Sequence, residues 1–275
     1  MTDKYAVIGN PVAHSKSPLI HAEFARQTGQ DIAYTTILAP LDGFRQAVFK
    51  FRDEGGRGMN VTLPFKNEAW NLVDSRAGHA LDANAVNTIE FIDGRMVGHN
   101  TDGTGLVRDI RDNLKYPIQG KRVLLMGAGG ATYGAMQPIL AEHPDTLVVA
   151  NRTPDKAVSL VAHFRKFWNF APGGVTAQSY PQLSGAQFDL VINATSAALS
   201  DAMPHLPDSV FAPGALAYDM MYGRVTPFMR FAGGKAAVVS DGLGMLVEQA
   251  AESFLIWRGV RPRTAPVIAR LRGEG

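Results

Sequence analysis

The run "RVLLMGAGGATYGAMQPIL" constrains this chain more than any other stretch. It opens as an apolar strand, passes through Gly127-Ala128-Gly129-Gly130-Ala131, and continues as a helix. A tight turn out of a strand needs residues without a clashing Cβ. The free N–H groups at the start of the following helix, together with its dipole, then favour an anion. Strand, glycine loop and helix in that order are the setting in which such a loop cradles a pyrophosphate in a doubly wound α/β sheet. The third position of the fingerprint is Thr132 rather than Gly or Ala, a departure from the strict pattern.

The residues after the loop extend the same architecture. Strands are read at "TLVVA" (146–150), "DLVINAT" (189–195), "ALAYDM" (215–220) and "AAVVS" (from 236), with helical segments between several of them. Repeated strand–helix–strand units make a parallel sheet with helices on both faces. The polar, glycine-rich segment 172–187 yields no clear element. In NAD-binding chains an acidic residue about 20 positions after the loop accepts from the ribose hydroxyl. Here the second strand ends at Asn151-Arg152-Thr153, with Lys156 close by. A guanidinium suits bidentate phosphate recognition, so this tip argues for a 2′-phosphate and NADP as the cofactor.

The glycine loop begins only at residue 127, so the residues before it form a unit of their own. Its strands are read at "KYAVIG" (4–9), "IAYTTILA" (32–39) and "GMNVTL" (58–63), its helices at 18–29 and 41–55. "AVNTIEFI" and "RMVGHN" flank Asp93-Gly94 and predict a hairpin. "DGTGLVRDIRDNL" (102–114) reads as a helix leaving the unit, and 245–260 as a long helix returning to it. The expected layout is a substrate-binding and catalytic domain over 1–102, completed by 241–275, and a Rossmann-like domain over 103–240. The fold class is α/β in two domains.

Composition narrows the function classes. Of 275 residues, 46% are hydrophobic and 19% charged, with a net charge of +2 and no like-charge run, so neither nucleic acid nor an anionic membrane is called for. The absence of cysteine excludes disulfides and thiolate chemistry. No apolar run reaches the roughly 18 residues of a membrane span. "MTDKYAVIGN" reads as a strand rather than a signal peptide, so the expected location is the cytoplasm. His14, His21, His79 and His99 have no metal-ligand spacing, and no metal is expected. Oligomeric state is open between monomer and homodimer.

In open α/β sheets ligands bind beyond the strand ends. The loops there are "NPVAHSKSP" (10–18), "NVTLPFK" (60–66), "AVNT" (85–88) and "NTDG" (100–103). Followed by "GAGGA", "NRT", "NATS", "YDMMYG" and "DGLGMLVEQA", this ordered set resembles the shikimate dehydrogenases over residues 4 to 260. The resemblance implies an NADP-dependent reduction of 3-dehydroshikimate to shikimate, a small-molecule substrate of aromatic biosynthesis. It assigns the substrate carboxylate to Ser15 and Ser17, and the catalytic pair to Lys66 and Asp102. Asn60, Thr62, Asn87, Tyr222 and Gln249 fall on substrate-binding positions, and Met220 and Gly242 on positions near the nicotinamide. The cofactor positions are Gly127 to Ala131, Asn151, Arg152, Thr153 and Lys156.

Each residue also has a plainer reading. Ser17 before Pro18 suits a helix N-cap, Asp102 before "GTGLVRDI" suits another, and a lone lysine is usually solvated. Whether Lys66 or Asp102 is the acid–base group stays open. Two departures from the family pattern are Asn84, where glycine precedes "AVNT", and the alanines of "NATSAALS". Two rival functions are a quinate/shikimate dehydrogenase preferring NAD and a non-catalytic NADP-sensing regulator. The presence of both Lys66 and Asp102 speaks against the second.

Overall fold

A computed structural model describes residues 2–168, 174–195, 202–203, 205–235 and 238–273. The stretch "NATSAALS" beyond Thr195 and the start of "AAVVS" lie outside them. The chain divides into two compact units, one of residues 1–105 with 246–275 and the other of 106–245.

The first unit starts with β1 (Asp3–Gly9), α1 (Ser17–Thr28), β2 (Ile32–Leu38), α2 (Phe44–Asp53), β3 (Gly56–Val61) and α3 (Lys66–Leu72). After them come β4 (Ser75–Arg76), α4 (Ala80–Ala83), β5 (Thr88–Ile92), β6 (Arg95–His99) and α5 (Asp102–Arg108). The strands lie in the order β2-β1-β3-β5-β6-β4. β1, β2 and β3 are parallel, whereas β5 and β6 are the predicted hairpin, with Ile92 opposite Arg95 across Asp93-Gly94. β5 runs antiparallel to β3 with Asn60 opposite Thr88. The carboxyl end of β3, the start of β5 and the end of β6 therefore lie together at one end of the strands.

The helix predicted over 102–114 is α-helical only to Arg108 and finishes as a π-helical turn, Asp109–Asn113. At this turn the buried carboxylate of Asp109 accepts from Asn113 Nδ2 at 2.9 Å and from the Tyr218 hydroxyl at 2.6 Å. Its carbonyl accepts from Leu114 N, one residue beyond α-helical spacing.

The second unit holds β7 (Arg122–Met126), α6 (Gly130–Ala141), β8 (Thr146–Ala150), α7 (Pro154–Phe164), β9 (Val175–Gln178), β10 (Phe188–Asn193), β11 (Phe211–Asp219), α8 (Pro227–Gly233) and β12 (Val238–Ser240). All its strand pairs are parallel, in the order β12-β11-β10-β7-β8-β9. The chain winds outward from β7 to β9, then crosses back to β10, so the winding reverses between β7 and β10. That is the switch point at which such sheets take ligands. Within 172–187 lie β9 and a 3-10 turn, Tyr180–Leu183, capped by Ser179 and Gln182. A four-residue, half-buried edge strand leaves too short a pattern to read.

α9 (Leu243–Arg258) and α10 (Ala265–Arg272) close the chain. Ile20 and Phe24 of α1 pack with Val247, Ala250, Ala251 and Phe254 of α9 and Val267 of α10 into one core of the first unit. Its other core joins Ile8, Met59, Val61 and Ile89 of the sheet to Phe44 and Val48 of α2, Phe65 just ahead of α3 and Ala69 of α3. α10 is an addition to the predicted elements. Its signals are Pro266 in the first turn and Gly273 in the left-handed conformation after the last.

Candidate active site

In the first unit, the turn between β3 and α3 delivers Lys66. Phe65 N donates to Thr62 O, and the Phe65 ring is buried with its centroid 4.8 Å from that of Phe44, which fixes the turn just ahead of the lysine. Lys66 Nζ lies 2.6 Å from Asp102 Oδ2, the lysine being 27% and the aspartate 12% exposed at their side chains. Asn100 prepares the other partner: its Oδ1 accepts from Asp102 N at 3.1 Å, and its Nδ2 donates to Ala85 O.

Asn87 completes this grouping. Its Nδ2 donates to Asp102 Oδ1 at 2.8 Å and to Thr101 Oγ1 at 2.9 Å, with Gln249 Oε1 at 3.3 Å. Asn60, at the end of β3, donates Nδ2 to Thr88 Oγ1 at 3.1 Å and to Ser253 Oγ at 2.9 Å, and its Oδ1 accepts from the Tyr34 hydroxyl at 2.7 Å. Burial holds the Tyr34 phenol well above its ordinary range, against a smaller lowering by the Ser17 side chain. The His21 ring stacks on Tyr34 at 4.2 Å between centroids, and burial lowers its pKa to about 3.

α1 begins at Ser17 rather than Pro18, so Ser17 is the first residue of the helix and not its cap; Lys16 stands at the N-cap without a side-chain cap bond, and Ser15 Oγ accepts from Ser17 N at 3.2 Å just ahead of it. Thr62 is half-buried, and its Cγ2 fills the space a Cβ on Gly9 would need. Ser17, Asn60, Lys66, Asn87, Asp102 and Gln249 thus share one unit, most of them in one hydrogen-bonded group. Tyr222 belongs to the other unit, where burial raises its phenol.

That second unit carries the glycine loop. Gly127 has φ +105° and approaches Ala194 O, at 3.2 Å from where its Cβ would be, so a side chain is excluded there. Gly129, Gly130 and Ala131 are exposed at the N-terminus of α6, which has no side-chain cap and no acidic residue in its first turn. Among the described residues nothing lies within 4 Å of a Cβ at Gly129 or Gly130, and none bonds the buried Thr132 Oγ1. Free N–H groups, open space and no competing carboxylate fit a diphosphate. At the tip of β8, Arg152, Thr153 and Lys156 are exposed, and Asn151 Nδ2 donates to Thr153 O. Gly242 N donates to Met221 O, and the Met220 carbonyl occupies the place of a Gly242 Cβ, so Met220 and Gly242 are in contact. Among the described residues no cluster of His, Asp or Glu could hold a metal, and no helix is long and apolar enough to cross a membrane.

The sequence did not single out Tyr34, Thr88, Thr101 or Ser253. Tyr34 sits in an ordinary strand and Ser253 on an ordinary apolar helix. Thr88 and Thr101 lie inside quoted motifs, beside the residues chosen.

Three family models match the chain: the shikimate dehydrogenase substrate-binding domain over residues 7–89, shikimate/quinate 5-dehydrogenase over 109–200, and the shikimate 5'-dehydrogenase C-terminal domain over 242–272. The shikimate dehydrogenase (NADP(+)) of Nitrosospira multiformis is 57% identical over 276 residues, covering 100% of this chain and 98% of its own. Among solved structures, an Ael1 enzyme from Pseudomonas putida superposes with a TM-score of 0.92 at 47% identity over 98% of each chain. The shikimate 5-dehydrogenase of Thermus thermophilus, in complex with NADP(H) and shikimate, does so at 0.86 and 31% identity over the whole of both chains.

Proposed function

The chain belongs to the shikimate dehydrogenase family, and we propose that it interconverts 3-dehydroshikimate and shikimate with NADP. The observation that carries this reading is the Lys66–Asp102 pair, 2.6 Å apart in a chain 57% identical to an NADP-dependent shikimate dehydrogenase. The first unit is the substrate and catalytic domain, and the second is the cofactor domain.

Reducing a ketone to an alcohol needs a hydride on carbon and a proton on oxygen. When bound, NADP would supply the hydride, from C4 of its nicotinamide. The N-terminus of α6 would hold its diphosphate, and Arg152, Thr153 and Lys156 its 2′-phosphate. Lys66 and Asp102 handle the proton at the substrate oxygen, the carboxylate orienting the ammonium and stabilising its charge. Asn87 and Gln249 bind substrate hydroxyls beside them, while the hydroxyls of Ser15 and Ser17, at the N-terminus of α1, receive the carboxylate. The protein works in the cytoplasm.

One match is to a model that covers quinate as well as shikimate. Quinate carries a further hydroxyl on the carbon bearing the carboxylate. The deciding experiment follows absorbance at 340 nm with shikimate or quinate, each with NADP or NAD. NADPH formation from shikimate, with little from quinate or NAD, is the expected result. Turnover of quinate with NAD would move the chain to the second reading. Cofactor binding without any turnover would make it a sensor.

A further inference from the structure

The amide of Asn87 can face Asp102 through its N–H groups or through its oxygen. Only the first is attractive, because an ionised carboxylate accepts and cannot donate. What turns the amide is therefore a question about the groups on its oxygen. Asn87 Oδ1 accepts from Thr88 Oγ1 at 3.0 Å and from Thr101 N at 2.9 Å. The Thr88 hydroxyl is itself constrained. It accepts from Asn60 Nδ2 at 3.1 Å and lies 2.8 Å from Ser253 Oγ.

Traced from donor to acceptor, the bonds make one chain. The Tyr34 hydroxyl donates to Asn60, Asn60 to Thr88, Thr88 to Asn87 and Asn87 to Asp102, whose other oxygen receives Lys66. Thr88 and Ser253 are fully buried, and Asn60, Asn87 and Asp102 nearly so. At such depth each bond polarises the next, and a reversed amide would leave its groups unpaired.

We propose that Thr88 is a positioning residue for the proton-handling pair. Its hydroxyl, braced by Ser253, holds Asn87 with its N–H side on Asp102 and so keeps Asp102 aimed at Lys66. This rests on the proposed function, in which Lys66 and Asp102 act at the substrate oxygen.

The test uses the full chain with Thr88→Val, which keeps the shape and removes the hydroxyl, and Thr88→Ser, which restores it. Two measurements separate positioning from packing. The first is steady-state kinetics: Thr88→Val lowers kcat roughly ten- to hundredfold with KM for shikimate shifting less, as expected for one buried hydrogen bond lost beside the reacting groups. Thr88→Ser recovers most of that loss. The second is proton exchange at the Asn87 side-chain amide, followed by NMR without substrate or cofactor and assigned by loss of the signal in Asn87→Asp. Thr88→Val speeds this exchange and Thr88→Ser does not. A Thr88→Val protein that is less stable yet keeps the wild-type kcat and Asn87 exchange rate overturns the proposal. If Thr88→Val does not fold, Ser253→Ala carries the same two expectations at a smaller amplitude, and unchanged values there overturn it. A wild-type protein that turns over no shikimate would sink the functional reading, while the exchange measurement would still decide the positioning role.

Discussion

Asn87 and Lys66 grip opposite oxygens of Asp102, at 2.8 Å on Oδ1 and 2.6 Å on Oδ2. A carboxylate held at both ends has its orientation fixed before any substrate arrives. Lys66→Met and Asp102→Asn are each expected to lower kcat by about 10²–10⁴, the usual span for losing a positioned proton donor or its partner. Because the two act as a unit, the double variant should be little worse than the poorer single one. Fully additive losses in the same 340 nm assay would show that they work separately.

Arg152 gives a cofactor prediction. Losing a charge-assisted bond to a phosphate costs about 1.5–3 kcal/mol, hence roughly ten- to hundredfold in affinity. Arg152→Gln should raise KM for NADP by that factor and leave KM for NAD almost unchanged. An equal effect on both cofactors would mean that the guanidinium does not meet the 2′-phosphate.

Gly242 gives a packing prediction. A Cβ there meets the Met220 backbone, with its carbonyl carbon 2.7 Å away, and backbone cannot swing aside as a side-chain end can. Gly242→Ala should destabilise the protein by about 1–3 kcal/mol, as overpacking does, and weaken NADPH binding by fluorescence titration. Wild-type melting and binding together would refute the contact.

His21 predicts how stability depends on pH. Burial sets its folded pKa at about 3, against 6.5 when free. Between those values the unfolded chain takes up a proton that the folded chain does not, so acid favours unfolding. Stability is complete above pH 6.5 and falls as pH drops toward 3, by up to about 1.4 kcal/mol per pH unit from this group. Urea midpoints at pH 7.5, 5.5 and 4.5 would show it, above the range in which Asp189, held at about 2 by Arg122, titrates. In His21→Phe the decline over that window should be shallower. Parallel profiles in the two proteins would exclude His21 as the cause.

Much of the architecture is legible because it is local. The glycine loop lies between its strand and helix within 20 residues, and Asp93-Gly94 marks its hairpin by turn chemistry alone. Shorter elements are not legible: β9 has only four residues, three of them half-buried, and the carboxylate of Asp109 in the π-helical turn meets the hydroxyl of Tyr218, more than a hundred residues away. The hydroxyl network is hidden for the same reason. Asn60, Thr88 and Ser253 meet through sheet register and helix packing, and no spacing in the sequence links them. Lys66 and Asp102 stand out only because neighbouring motifs mark them.

Ser253 and Gln249 reach the first unit on α9, after the whole second unit has been translated. At about 5–20 residues per second, the ribosome delivers Ser253 roughly 8–30 s after Asp102. Until then Asn60 lacks one of its acceptors and Asn87 lacks Gln249, however well the first hundred residues have formed. A nascent chain of this protein is therefore a catalyst missing parts for most of its synthesis. A stop codon between residues 246 and 249 would leave it unfinished, with the entire nucleotide-binding unit already made.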